Sequence, residues 1–306
     1  MVRAGYELRA ILPVLKRFVL GLGNPLLSDD EGAFEVGASR FQREMSNDST
    51  EKVSYLSLSA NEIRPIEKPV VRETAWTIYV NGQELVTILC TPNKMSFLVL
   101  GFLASEGIIQ SLDDVGVLRV CEDAGNVVDV RLRDESLSLP GKRVLLSGCG
   151  GGVTFEDLKA SHARLTSSLA VTPTQISKLM RDLQRSAEAY RTAGGVHASA
   201  LSDGERLLAV AEDVGRHNTL DKIRGECLYH HIPTKDRIIL TTGRISSEMV
   251  NKAVGMETPI LISRTSPTDL AVRLADSWGI TLVGYARGKR MNVYTHPERI
   301  TPKEKP

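Results

Sequence analysis

The chain has 306 residues, 42% of them hydrophobic and 25% charged, with a formal net charge of +1. That is an ordinary globular composition with room for about two domains, and it excludes a disordered chain or a broadly nucleic-acid-binding one, though not a local basic patch. No apolar run approaches the ~20 residues of a membrane helix, and the first ten residues lack a secretory apolar region and cleavage site. The four cysteines, at positions 90, 121, 149 and 227, are too few and too scattered for a disulfide scaffold or a Cys-rich zinc site. A cytoplasmic protein with no membrane or nucleic-acid partner and no metal ligands is the expectation.

Residues 17–37 read as a strand, a Gly-rich turn and an acidic loop, and residues 45–52 as a polar linker of low hydrophobicity that would also serve as an ordinary N-terminus. Residues 1–45 are therefore expected to be a poorly ordered extension, either a remnant of gene fusion or the product of a start assigned too early, with Met45 the true start. From Trp76 a hairpin is expected: residues 76–80 and 85–89 flank an Asn81-Gly82 turn. Thr91-Pro92 then opens a helix through Phe97, Leu98, Leu100 and Leu103 that stops near Gly107. Residues 115–120 and 127–132 give a second strand pair, and Cys90 and Cys121, at the ends of apolar runs, read as core thiols. Residues 46–142 thus form a small α+β domain that frames the chemistry rather than supplying it.

The pivotal stretch is residues 143–157. An apolar strand over 144–146 runs into Gly148-Cys149-Gly150-Gly151-Gly152, and Thr154 with Asp157 reads as a capping box opening a helix. A cysteine at a helix entrance is favoured as thiolate by the free backbone N–H groups, so Cys149 is a candidate nucleophile or sulfur carrier. The alternative is a small buried thiol in a tight turn. Beyond it, over residues 143–300, strands alternate with helices: a helix from Thr172-Pro173, strands over 194–200 and 207–211, a helix after Gly215, a strand over 237–242, a helix after Ser246, a strand over 260–263, a helix over 269–278 and a strand over 280–284. This is an α/β layered domain, closed by a short tail over 301–306.

Polar clusters recur at its strand ends, where such domains hold ligands. The first is Gly194-Gly195-Val196-His197, in which His197 is either a hydrogen-bonded structural residue or a group beside a ligand. Residues 212–222, which include Arg216 and His217, pack a density of mixed charge suited to orienting a polar ligand or tuning a thiol. In Thr242-Gly243-Arg244-Ile245-Ser246-Ser247-Glu248, Arg244 and Ser246 lead into a helix N-terminus able to hold an anion, and either Ser246 or Ser247 could instead be a plain N-cap. After the last strand, Tyr285-Ala286-Arg287-Gly288-Lys289-Arg290 sets three cations around a glycine beside an aromatic ring. That suits a diphosphate and a stacked purine, with an exposed basic hairpin turn as the bland alternative.

Taken together, residues 80–297 resemble the FdhD family of formate dehydrogenase accessory sulfurtransferases. The resemblance rests on Val80-Asn81-Gly82, Gly101-Phe102-Leu103 with Glu106-Gly107-Ile108-Ile109, Gly148-Cys149-Gly150, Gly194-Gly195-Val196-His197, Glu212-Asp213-Val214-Gly215-Arg216-His217-Asn218, residues 243–250 and residues 292–297. It implies a cytidine-deaminase-like α/β fold, a homodimer, and a cytoplasmic sulfurtransferase. Such a protein takes persulfide sulfur from a cysteine desulfurase and passes it to the molybdenum or tungsten bis(molybdopterin guanine dinucleotide) cofactor destined for the formate dehydrogenase catalytic subunit. Carried over by position, Cys149 corresponds to the persulfide-bearing cysteine, and Tyr285, Ala286, Arg287, Gly288, Lys289 and Arg290 to the cofactor-binding stretch, with His197, Arg216, His217, Arg244 and Ser246 in support. One departure stands out: many members have Cys-Gly-x-Cys, whereas glycine occupies Gly152 here, so an internal disulfide relay through that pair is impossible. The His-x-Glu and Pro-Cys-x-x-Cys signature of zinc deaminases is absent, so no zinc and no deamination are expected. Two rival expectations remain: a non-catalytic cofactor-binding chaperone, and a nickel-iron hydrogenase maturation endopeptidase, whose opening residues 17–37 resemble over too short a stretch to make a domain.

Overall fold

The computed structural model describes residues 49–301 apart from 124, 135, 137–143, 146–152 and 155–161. The expectations for residues 1–45, for the Cys149 loop and for the helix opening at Thr154 with Asp157 fall wholly or mostly outside the described residues. Thr154, expected to cap that helix, belongs instead to a strand: β7 (Val144–Leu145) pairs antiparallel with β8 (Val153–Thr154).

The described chain begins with a long antiparallel ribbon, β1 (Thr50–Ser59) with β2 (Glu62–Val71), which joins no other sheet among the described residues. Residues 50–52, expected in the polar linker, are the start of that ribbon. A smaller lobe follows, built from β3 (Thr74–Val80), β4 (Gln83–Cys90), α1 (Met95–Ser105), β5 (Val115–Cys121) and β6 (Val127–Leu132), with strand order β4-β3-β6-β5. Asn81 and Gly82 both hold positive φ, as a two-residue hairpin turn of mirror-image type requires, and the alternation of Trp76, Ile78 and Val80 buries one face. α1 begins at Met95, later than the Thr91-Pro92 signal predicts. The Thr91 hydroxyl cannot cap it, because it accepts the backbone N–H of Val214 at 3.2 Å.

The larger lobe carries α2 (Pro173–Ser186), α3 (Glu188–Thr192), β9 (His197–Ser202), β10 (Leu207–Asp213), α4 (Arg216–Tyr229), β11 (Ile238–Thr241), α5 (Ser247–Gly255), β12 (Ile260–Ser263), α6 (Asp269–Trp278), β13 (Thr281–Arg287) and β14 (Arg290–Thr295). Its six strands run in the order β10-β9-β11-β12-β13-β14, with β11, β12 and β13 parallel and the others antiparallel. α2 starts where its signal predicts: Thr172 and Gln175 form a reciprocal capping box around Pro173. Its apolar stripe of Ile176, Leu179, Met180 and Leu183 covers one sheet face, built from Ala198, Ala200, Leu240, Ile262 and Val283. α4, α5 and α6 cover the other, over Leu201, Ile239, Leu261 and Leu282. The result is a three-layer α/β/α domain, and each of these buried aliphatics contributes roughly 1.5–3 kcal/mol by leaving water.

The lobes meet where α1, buried along its whole length, lies against α4. Only glycine permits that distance: a Cβ on Gly101 would collide with the Asp221 carbonyl, and one on Gly225 with the Phe97 carbonyl. Among the described residues no helix is long and apolar enough to cross a membrane.

Candidate functional site

The parallel strands β11, β12 and β13 end on one edge of the large sheet, and β9, running the other way, begins there. This crevice outside the carboxyl ends is where an open α/β sheet binds ligands. His197 opens β9, Arg216 and His217 open α4, residues 242–246 join β11 to α5, and Tyr285 to Arg287 end β13. The topology thus brings His197, Arg216, His217, Arg244, Ser246 and the end of β13 to one edge of the sheet.

Gly243 makes the crowding possible. A Cβ there would stand 3.1 Å from His197 Nδ1 and 3.0 Å from Arg216 Cβ. Burial disfavours charge on His197, and the Arg216 guanidinium and His217 add to it, so its pKa lies below the ordinary imidazole value and the ring is neutral at neutral pH. Ser246 sits at the N-cap position of α5, but its side chain makes no capping bond. Its hydroxyl lies instead 3.0 Å from His217 Nε2, while His217 Nδ1 is 2.9 Å from Glu248 Oε2. The plain N-cap alternative for Ser246 therefore fails. Inward from Glu248 the charges continue: Lys252 Nζ lies 4.0 Å from Glu248 Oε1 and 2.7 Å from Asp221 Oδ1, which also accepts the Ser105 hydroxyl of α1 at 2.8 Å. Burial alone would lower the Lys252 pKa, yet the carboxylates of Asp221, Glu248 and Glu106 outweigh it and raise it.

The dense polar cluster over 212–222 divides. Only Arg216 and His217 reach the crevice. Glu212 accepts the backbone N–H groups of Ala189 and Tyr190 at the start of α3, at 3.1 and 2.7 Å. Asp213, wholly buried, pairs with Lys222 at 2.7 Å, and Lys222 also donates to the Thr91 carbonyl at 2.9 Å and Asn93 Oδ1 at 2.6 Å. Asn218 reaches the Leu89 carbonyl at 3.0 Å. The expectation that this whole run orients a ligand is corrected here: much of its charge closes the junction between the lobes, because buried charges must be paired.

The basic stretch over 285–290 spans the end of β13, a tight turn at Gly288-Lys289 and the start of β14, the basic hairpin its bland alternative described. Tyr285, at φ 53°, is exposed, and the Arg287 guanidinium lies 6.0 Å from its ring centroid. Arg287 Nε donates to the Arg264 carbonyl at 2.8 Å, and the Gly288 carbonyl accepts the Ser177 hydroxyl at 2.8 Å, so both lobes of the turn are tethered. Lys289 and Arg290 are exposed and make no ion pair among the described residues, as is true of Arg287 and Arg244. Ala286 points the other way, into the core under α2. The turn therefore offers three cations and an aromatic face to solvent, with Ala286 as its anchor.

Of the cysteines other than Cys149, burial pushes the Cys90 thiol far up and that of Cys227 up to about 12, which makes both poor nucleophiles. Cys121, expected in the core, is only half-buried at the end of β5. Sequence reading included Glu248 in its third cluster without giving it a role and passed over Lys252, although their four-residue spacing on a helix was a usable signal. It also did not separate β14 from the turn before it.

The model of the FdhD/NarQ family matches residues 71–301. The chain belongs to the FdhD/NarQ family. Among curated family members, the sulfur carrier protein FdhD of Bacillus licheniformis is 40% identical over 239 residues, covering 76% of this chain and 90% of that protein. The protein of the same name from Staphylococcus aureus strain MRSA252 is 38% identical over 239 residues, with the same coverage. The fold is similar to the crystal structure of a formate dehydrogenase accessory protein from Desulfotalea psychrophila, with a TM-score of 0.67 and 26% identity, over 82% of this chain and 99% of that one. The matched span includes both lobes and the whole crevice and leaves out residues 1–70.

Proposed function

We propose that this FdhD/NarQ chain is a sulfurtransferase that carries sulfur as a persulfide on Cys149. The observation that carries this reading is Cys149 itself, set among four glycines at the position of the family's sulfur-bearing cysteine, in a family whose curated members are named sulfur carriers. In the accepting step the Cys149 thiolate attacks the outer sulfur of a cysteine desulfurase persulfide. A new S–S bond forms, the donor's S–S bond breaks, and the donor leaves as thiolate. The cargo is then delivered to the molybdenum or tungsten bis(molybdopterin guanine dinucleotide) cofactor of a formate dehydrogenase in the cytoplasm.

Support for the receiving site comes from charge. Arg287, Lys289 and Arg290, with no ion pair among the described residues, form a cationic tip suited to a diphosphate, and Tyr285 offers a ring on which a guanine can stack. His197 and Arg216 stand along the same edge, and Ser246 with His217 supplies a hydroxyl–imidazole pair able to hold a proton near the ligand. The deaminase-like layering implied by the resemblance would put a ligand at this edge too.

Mass spectrometry after incubation with a cysteine desulfurase and cysteine tests the reading: one added sulfur is expected, on Cys149. The Cys149→Ala protein should take up no sulfur and still bind guanosine diphosphate nearly as well as the native chain. Loss of both would mark a structural thiol. Normal formate dehydrogenase maturation with Cys149→Ala would favour the chaperone reading instead.

A further inference from the structure

Ser246, His217 and Glu248 stand in an arrangement that sulfur transfer through Cys149 does not call for. Ser246 Oγ lies 3.0 Å from His217 Nε2, and the other ring nitrogen, Nδ1, lies 2.9 Å from Glu248 Oε2. Hydroxyl, imidazole and carboxylate in that order give an oxygen nucleophile a base within reach and the base an anion behind it.

Three features separate this row from an ordinary polar contact. The first is the setting of the serine. Ser246 occupies the N-cap position of α5 and is only half-buried, yet its hydroxyl makes no capping bond, so it leaves the α5 amides it would ordinarily take. A carbonyl oxygen beside it would meet the N–H of Ser247, the residue after the nucleophile, and the positive end of the helix. The second is Glu248, which is 4% exposed and whose Oε2 has no hydrogen-bond partner among the described residues. A buried carboxylate oxygen without a donor is costly, and the cost falls when the imidazole beside it becomes charged. That charge appears on His217 when it takes the Ser246 proton. The third is rigidity. Ile245 bridges to Pro267, its N–H donates to the Ser266 carbonyl at 3.2 Å, and its own carbonyl accepts the Thr268 N–H at 2.9 Å, which pins the backbone next to the serine.

We propose that Ser246 is a nucleophile for acyl transfer, with His217 as its base and Glu248 stabilising the imidazolium, and that the chain hydrolyses small esters whose acid part carries a second, anionic group. Ser246 Oγ bonds to the ester carbonyl carbon while its proton passes to His217 Nε2; the C–O bond to the alcohol breaks, and the alcohol leaves with that proton. Water then attacks the acyl-serine, giving a proton to His217 as it does so. The bond to Ser246 breaks, the acid is released, and the serine hydroxyl takes the proton back. The anionic group is called for by charge. Arg216 packs against Gly243, three residues before Ser246, and Arg244 is exposed and makes no ion pair among the described residues. A neutral ester would leave both cations without an anion. The activity uses neither Cys149 nor the cationic turn, so it stands or falls apart from the sulfur-carrier reading.

Incubation of the full native chain with a fluorophosphonate should displace fluoride and add one phosphonyl group, mapped by peptide mass spectrometry to Ser246. The chain should hydrolyse p-nitrophenyl hydrogen succinate with a kcat/KM at least about tenfold above that for p-nitrophenyl acetate, read as release of p-nitrophenolate. Ser246→Ala should lower that turnover at least about a hundredfold. Glu248→Gln, which keeps the shape of the side chain, should lower kcat at least about tenfold and leave KM within about twofold, a split that a purely structural role would not produce. Absence of the adduct, an adduct on a cysteine or on another serine, or hydrolysis that survives Ser246→Ala overturns the proposal. Should Ser246→Ala fail to fold, labelling of the native chain decides alone.

Discussion

Two sets of charges lie within this molecule and meet opposite fates. At the lobe junction Lys222, Asp213, Lys252 and Asp221 are buried, each cation 2.7 Å from a carboxylate. At the β13–β14 turn Arg287, Lys289 and Arg290 are exposed and, among the described residues, make no ion pair. The difference teaches what charge does in each setting. Removed from water, an ion must be matched within the protein, so it fixes how two lobes sit against each other; left in water and unmatched, it remains free for an anionic ligand.

The largest effect is expected at the buried set. Lys222→Met strands the Asp213 carboxylate without its partner and should cost about 3–5 kcal/mol of folding stability, read as a lowered urea midpoint. A loss near zero would mean that the seam does not hold the lobes together. At the exposed set the pattern should invert. Arg287→Ala/Lys289→Ala/Arg290→Ala should leave stability within about 0.5 kcal/mol of native, because these side chains are in solvent. Guanosine diphosphate binding by calorimetry should fall at least about tenfold, since even one hydrogen bond to a charged group is worth roughly 1.5–3 kcal/mol. Equal binding by the two proteins would break the comparison.

His197 sharpens it, as a group that is partly buried and lies beside a cation. Its folded pKa lies below the 6.5 of a free imidazole, through burial and then Arg216. Above that value neither state is protonated and the ring costs nothing. As pH falls below 6.5 the unfolded chain gains a proton first, so stability declines toward the lower folded pKa. Denaturation from pH 7.5 to 5 should show this slope, and His197→Gln should flatten part of it. An unchanged slope would mean that the ring titrates freely.

Much of the site was legible beforehand because it lies in loops whose composition is distinctive. Gly194-Gly195, Gly243-Arg244 and the cationic turn are short, local and unlike helix or strand sequence; parallel β–α alternation sends the loops after β11 and β13 to one edge, and Gly194-Gly195 joins them because β9 runs antiparallel to β11. The division of residues 212–222 was not legible. Arg216 and Lys222 are the same kind of cation on the same helix, and nothing local tells which will meet Asp213.

By itself the sequence determined the α/β alternation of the large lobe, the Asn81-Gly82 turn, the capping box of α2 and the family. Each is settled by neighbours within a few residues or by a pattern repeated along the chain. The tertiary structure decided which charges close the lobe junction, that the Ser246 hydroxyl turns to His217 rather than to its own helix, that Ala286 faces inward, and that β1 and β2 stand apart from the other sheets among the described residues. Those outcomes depend on which distant segments share a wall, and burial, which sets the cost of an unmatched ion or an exposed leucine, exists only once the chain has closed around them.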